Sequence, residues 1–289
     1  MTKTLIESKK IVWLASYPKS GNTWFRAFLT ALLNDGKVDI NNMPTDGIFS
    51  SSKLFTDYTG LDPALLYQDE INALRSNVFN FMAEESPKAK LFNKIHDAYT
   101  FTALGQPLIP TESTFRAIYF IRNPLDIVAS FANHMNCSID EAIILMNNPK
   151  ASIKQPSSTA NIYNQFNQIL LDWSGHVNSW TGNLPFPVLV LRYEDMLNDT
   201  IPVFKKAIEF IGIDTTLQNI ESALAATSFK KLQKEEMEKG FNEKSVRNSI
   251  FFRKGVAGGW EHELSEKQIR LIVENHKKVM KLFNYIPNG

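Results

Sequence analysis

The chain has 289 residues, 44% of them hydrophobic, which suits one large α/β domain with a sizeable core. Its 31 Lys and Arg against 30 Asp and Glu leave a net charge of +1, so nothing in the bulk charge suggests a nucleic-acid surface. One cysteine, Cys137, excludes an internal disulfide, no Cys/His cluster has zinc spacing, and no stretch approaches the ~20 apolar residues of a membrane span.

Residues 11–14 (IVWL) form a short apolar run suited to a buried parallel strand, which Tyr17-Pro18 ends because proline has no N–H for the ladder. Lys19, Ser20, Gly21, Asn22 and Thr23 make a turn. Trp24, Phe25, Phe28, Leu29, Leu32 and Leu33 then recur at helical spacing. Residues 34–45 read as a linker, and residues 47–58 show no clear period. Asp62 can cap a helix with Pro63 at its first position, and apolar residues continue the pattern to about Glu85. Residues 88–95 read as the second strand, 97–114 as a loop and 115–121 as the third strand. Asn123, Pro124 and Asp126 start a helix. Further on come a short helix over 139–146, a polar loop over 147–159 and a long helix over 161–180. The fourth strand covers 188–191 and is followed by helices over 200–211 and 217–226. A mixed-charge run over 230–244, a mobile stretch over 243–249 and a last helix over 265–283, capped by Ser265, complete the chain. Strands alternating with helices predict an α/β fold, a central parallel β-sheet flanked by helices, in a single domain over residues 1–289.

Residues 11–33 carry the first chemical signal. A strand, a Gly-containing loop and a helix start form an anion site, because free backbone N–H groups and the positive helix end face the loop. Lys19 adds a charge, and Ser20 and Thr23 add hydroxyls. The ATP and GTP loop pattern GxxxxGK[ST] is absent, since the lysine precedes the glycine. The second signal is Lys94-Ile95-His96 at a strand end. Alternation puts Lys94 and His96 on one side, and the lysine disfavours the imidazolium, which suits a neutral base. The third is Arg122 before a capped helix start, with Ser130 eight residues on. The fourth is Arg253-Lys254-Gly255 in RKGVAGGW, two cations beside a residue that lets backbone approach a phosphate.

YPKSGNTW closely resembles the 5′-phosphosulfate loop of sulfotransferases that use 3′-phosphoadenosine 5′-phosphosulfate (PAPS), and the other motifs follow in that family's order over residues 11–260. The resemblance implies the P-loop-like sulfotransferase fold, with Lys19, Ser20, Gly21, Asn22 and Thr23 on the 5′-phosphosulfate and Trp24 stacked on the adenine. It implies His96 as general base with Lys94 on the sulfuryl group, and Arg122, Ser130, Arg253, Lys254 and Gly255 at the 3′-phosphate. Tyr193 in LRYEDM resembles the family tyrosine near the adenine, and Thr227-Ser228-Phe229 resembles the Thr-Ser-Phe that touches the nucleotide. Gly259 departs from the family pattern, which usually has aspartate there.

The expected reaction is in-line transfer of a sulfuryl group from PAPS to a hydroxyl or amine, with adenosine 3′,5′-bisphosphate (PAP) leaving and no metal required. The alternatives are a nucleotide or small-molecule kinase, or a non-catalytic PAP or PAPS binding protein. The expected partner is a small-molecule acceptor, with no nucleic acid and no membrane span. The polar start MTKTLIESKK and the short apolar run after it do not read as a secretory signal, which predicts a cytoplasmic protein. Phe49, Phe55, Tyr58 and Tyr99 are candidates for an aromatic acceptor wall or for plain core. The C-terminal dimer motif of animal cytosolic sulfotransferases is absent after Trp260.

Overall fold

The computed structural model describes residues 9–43, 45–153, 165–243 and 250–287. Strand β1 (Ile11–Ser16) is buried along its whole length and occupies the middle of the main sheet. It leads into α1 (Asn22–Leu33), a short edge strand β2 (Gly47–Ile48), α2 (Ser52–Thr59) and, after a 3₁₀ turn at Pro63–Leu65, α3 (Gln68–Glu85). Next come β3 (Leu91–Ile95), β4 (Thr114–Ile121), α4 (Pro124–Met135) and α5 (Ile139–Met146). A small hairpin-like pair, β5 (Ser152–Ile153) and β6 (Gln168–Ile169), precedes α6 (Trp173–Thr181) and β7 (Val188–Arg192). The remaining helices are α7 (Tyr193–Asn198), α8 (Thr200–Ile211), α9 (Leu217–Ala226), α10 (Phe229–Lys239) and α11 (Glu266–Leu282). The main sheet has the order β2-β3-β1-β4-β7 with every pairing parallel.

Alternation along β1 builds the two core layers. Ile11, Trp13 and Ala15 face one layer together with Phe49, Phe79, Tyr119 and Trp180, while Val12 and Leu14 face the other with Phe25, Phe28, Phe120 and Phe204. Each such buried aromatic contributes about 1.5–3 kcal/mol relative to exposure. Both faces are covered, and the C-terminal ends of β1, β3, β4 and β7 open on one side. That is where parallel sheets place ligands.

Four expectations change. Of the long helix expected over 161–180, the described residues are helical only from Trp173, because Asp172 caps it by accepting from the Gly175 N–H at 2.5 Å and Gln168–Ile169 is committed to strand pairing. The second strand begins at Leu91 rather than at residue 88, where the Leu91 N–H first reaches Lys10 O at 3.0 Å. Residues 47–58, without a visible period, hold β2 and α2, since a two-residue edge strand is too short to show alternation. The mixed-charge run is helical from Phe229 to Lys239. The expected loop and helix over 154–164 and the stretch over 244–249 lie outside the described residues.

Candidate active site

The turn after β1 is tied down before any ligand arrives. Asn22 Nδ2 donates to Leu14 O at 2.8 Å and to Ser16 Oγ at 3.3 Å, so its amide nitrogen braces the loop, while its Oδ1 is buried without a partner. Lys19 and Gly21 have positive φ, 71° and 99°. A Cβ at Gly21 would lie 2.7 Å from Tyr193 Cδ2, so this position requires glycine both for its conformation and for room. The first helical bond of α1 is Phe25 N–H to Gly21 O, which leaves the preceding N–H groups unspent. Ser20 Oγ and Trp24 Nε1 are buried without partners.

These groups line a cavity of about 1030 Å³. Its walls bring together Lys19, Ser20, Gly21, Asn22, Thr23, Trp24, Lys94, His96, Arg122, Ser130, Tyr193, Phe229, Arg253, Lys254 and Gly255. Of the residues expected at the site, Thr227 is the one outside the lining. It is fully buried, and its hydroxyl donates to Ala223 O at 2.8 Å, closing α9 ahead of Phe229.

His96 stands just beyond β3. Its Nδ1 lies 2.8 Å from Ser16 O, and a carbonyl only accepts, so Nδ1 carries the proton and Nε2 keeps its lone pair. Burial first, and then the charge of Lys94, hold the imidazole well below its ordinary pKa, so it is neutral at pH 7. Its carbonyl accepts from His176 Nε2 at 3.1 Å, and His176 Nδ1 accepts from the Tyr119 hydroxyl at 2.9 Å. Asp97, the next residue, is fully buried against Arg75, with contacts of 3.1 and 3.3 Å, and its Oδ1 also takes the Ile169 N–H at 3.1 Å. The strand end bearing His96 is therefore braced on several sides.

Six cations, Lys19, Arg26, Lys94, Arg122, Arg253 and Lys254, line the cavity against three carboxylates, Asp126, Glu243 and Glu263. Burial, then Arg122 and Lys94, lower the Lys19 ammonium to about 7, and its Nζ rests 3.6 Å from the Phe251 ring centroid. Arg122 donates to Lys19 O at 3.2 Å and to Val256 O at 2.9 Å, and its guanidinium lies 4.3 Å from the Tyr193 ring centroid. Glu243 joins Lys94, at 2.9 Å, to the nearly buried Arg26, at 2.7 Å. Gly255 has φ 64°, and a Cβ there would lie 2.2 Å from Phe229 Cδ2, so the basic segment packs backbone directly on that ring.

The sequence reading missed the carboxylates that hold the backbone on either side of Arg253 and Lys254. Asp126 accepts from the Gly258 and Trp260 N–H groups, at 2.8 and 3.2 Å, and Glu236 accepts from those of Phe251 and Phe252, at 2.6 and 2.8 Å. No local pattern reveals such partners, which lie up to 134 residues away. His134 also lines the cavity. Burial, then the charges of Lys19 and Lys94, lower it to about 4. Phe49 and Phe55 are not in the lining; both are core, packed against Trp13, Phe79 and Phe166. Tyr58 and Tyr99 are half-buried against the same core layer. Ile40, Met43, Ile48, Met135 and Ile153 form the apolar wall instead.

Residues 9–284 match the model of the sulfotransferase domain. The chain belongs to the sulfotransferase family. It is 27% identical over 277 residues to flavonol 3-sulfotransferase of Flaveria bidentis, covering 90% of this chain and 78% of that one. It is 26% identical over 281 residues to cytosolic sulfotransferase 17 of Arabidopsis thaliana, covering 90% and 71%. The fold is similar to that of retinol dehydratase solved with androsterone and the inactive cofactor PAP, with a TM-score of 0.60, 19% identity and coverage of 94% and 80%. This sulfotransferase is a PAPS-dependent enzyme. The cavity suits PAPS: a neutral histidine, six basic side chains, and the unpartnered Ser20 Oγ, Trp24 Nε1 and Arg122 Nε. Among the described residues no cluster of three His, Cys, Asp or Glu could hold a metal ion, and no helix is long and apolar enough to cross a membrane.

Proposed function

We propose that His96, Lys19 and Lys94 carry out the transfer. PAPS supplies a sulfuryl group on a good leaving group. His96 Nε2 takes the proton of the acceptor hydroxyl or amine, which suits a base whose other nitrogen is locked on Ser16 O. Lys19 neutralises charge on the leaving oxygen, and Lys94 holds the sulfuryl oxygens. The loop from Ser20 to Thr23 grips the 5′ end through its backbone N–H groups. Arg122, Ser130, Arg253, Lys254 and Gly255 grip the 3′-phosphate, while Trp24, Tyr193 and Phe229 flank the adenine. Thr227 contributes by setting the start of α10 and hence Phe229. The observation that carries this reading is one cavity in which a neutral histidine with a free Nε2 stands among six cations.

The acceptor is a small molecule that reaches His96 past Ile48, Met135 and Ile153. A flavonol sulfotransferase among the relatives supports that class. We assign the enzyme to the cytoplasm, in line with relatives named cytosolic sulfotransferases.

The test is thermal stability with PAP against ATP–Mg²⁺, repeated on Lys19→Ala and Arg122→Ala. At ~100 times its dissociation constant a ligand adds about 2.7 kcal/mol. Stabilisation of the native protein by PAP that both variants lose supports the donor site. A response to ATP–Mg²⁺ alone would replace this reading with a kinase.

A further inference from the structure

Arg253 and Lys254 share one carboxylate. Glu263 Oε2 accepts from Arg253 at 2.8 Å, and Oε1 accepts from Lys254 at 2.5 Å. The acid is the most enclosed of the three, 16% exposed against 36% and 48% for the cations. It follows the 3₁₀ turn Gly259–His262, whose entry is fixed by the two N–H groups that Asp126 accepts. Burial works to raise the pKa of Glu263, but the hydrogen bonds from Lys254 and Arg253 outweigh it, so the group is charged at neutral pH.

Gly259 is part of the same arrangement. A Cβ at this position would stand 3.6 Å from Glu263 Oε1 and 3.9 Å from Asp126 Oδ1. An aspartate there would set a third carboxylate against two others. The chain has glycine at 259 and draws its anion from 263, where that anion reaches both cations.

We propose that Glu263 is an internal counter-ion that competes with the donor's 3′-phosphate for Arg253 and Lys254, and so limits how tightly PAPS and PAP are held. The proposal rests on reading those two cations as part of the 3′-phosphate site. An incoming phosphate dianion has two routes. It can displace Glu263, breaking two ion pairs, or bind beside it and face a carboxylate held on the same two cations. Both routes weaken binding, and both disappear when the carboxylate becomes an amide. Glutamine keeps the size of the side chain and can still accept from the cations, so their placement survives while the competing charge is lost. A ligand without a 3′-phosphate meets neither cost.

The test is calorimetric titration of PAP and of adenosine 5′-monophosphate into the native protein, Glu263→Gln and Glu263→Ala. The expected result is PAP binding tightened about two- to tenfold in both variants, the range one or two exposed ion pairs supply. The monophosphate's affinity stays unchanged, and the gain in PAP affinity shrinks as salt is added. Equal or weaker PAP binding in the variants, while they still prefer PAP over the monophosphate, overturns the inference and makes Glu263 a clamp on the basic segment. Equal tightening of both ligands also overturns it, because the effect would not lie at the 3′-phosphate. A native protein that does not distinguish the two ligands removes the donor-site reading itself, and this proposal with it. Melting curves of each variant establish that it is folded, and the second variant keeps one misfolded protein from deciding the outcome.

Discussion

The Nδ1 proton of His96 is held by the backbone carbonyl of Ser16, 2.8 Å away, across the two neighbouring strands β3 and β1. This bond fixes the tautomer and leaves Nε2 with its lone pair, on a residue that lines the cavity. It joins His96 to the strand that leads into the Lys19–Thr23 turn, so the positions of imidazole and turn are set by the same pair of parallel strands.

Replacing His96 with alanine or glutamine is expected to lower turnover by about 10²- to 10⁴-fold, the usual contribution of a positioned base. PAP affinity should be retained. Because burial and Lys94 hold the imidazole well below 6.5, the acid limb of kcat/KM should lie below that pH. Steady-state rates against pH check this; an acid limb centred near 6.5 would contradict it.

Lys19 predicts a proton linkage on the other side of neutrality. In the free protein its ammonium titrates at about 7, so at pH 8 it is mostly uncharged. A bound polyanion favours the charged form. PAP binding at pH 8 should therefore take up a proton, and affinity should fall as pH rises past 7, by up to about tenfold per unit. Calorimetry in two buffers of different ionisation heat measures the uptake. Lys19→Arg should abolish it, since a guanidinium stays charged.

Glu243 is expected to stabilise the protein through Arg26, whose side chain is 3% exposed. Glu243→Ala leaves that guanidinium buried without its carboxylate, a loss of about 1–3 kcal/mol. Urea unfolding measures it, and an unchanged midpoint would show that the pair contributes nothing.

Asp97→Ala should be more damaging. Arg75 is 1% exposed and Asp97 fully buried, so truncation leaves an uncompensated buried charge, about 3–5 kcal/mol. The same change frees the turn after His96, so turnover measured on the folded fraction should fall as well. A variant as stable as the native protein would refute the brace.

Gly255→Ala should strike binding more than stability. The added methyl would meet Phe229 at 2.2 Å on a backbone with φ 64°, which forces the ring or the basic segment to move. The expected result is weakened PAP binding with a melting temperature near that of the native protein.

Much was legible along the chain because it is written in local chemistry. The apolar run at 11–14, the turn around Gly21, the strand-end Lys94 and His96, and the Asn123-Pro124 helix start each depend on neighbours within a few residues. Backbone sterics, alternation and capping act over that range. Alternation of strands and helices was therefore enough to predict a parallel sheet. Tertiary structure decided what the charges do. Whether Asp126 braces a loop 132 residues on, whether Glu243 sits on Lys94 or Glu263 on Arg253, and whether Phe49 and Phe55 line the cavity or fill the core all depend on which segments the sheet order brings together. Side-chain pairing across the fold follows from proximity in space, and a periodic pattern carries no record of that proximity.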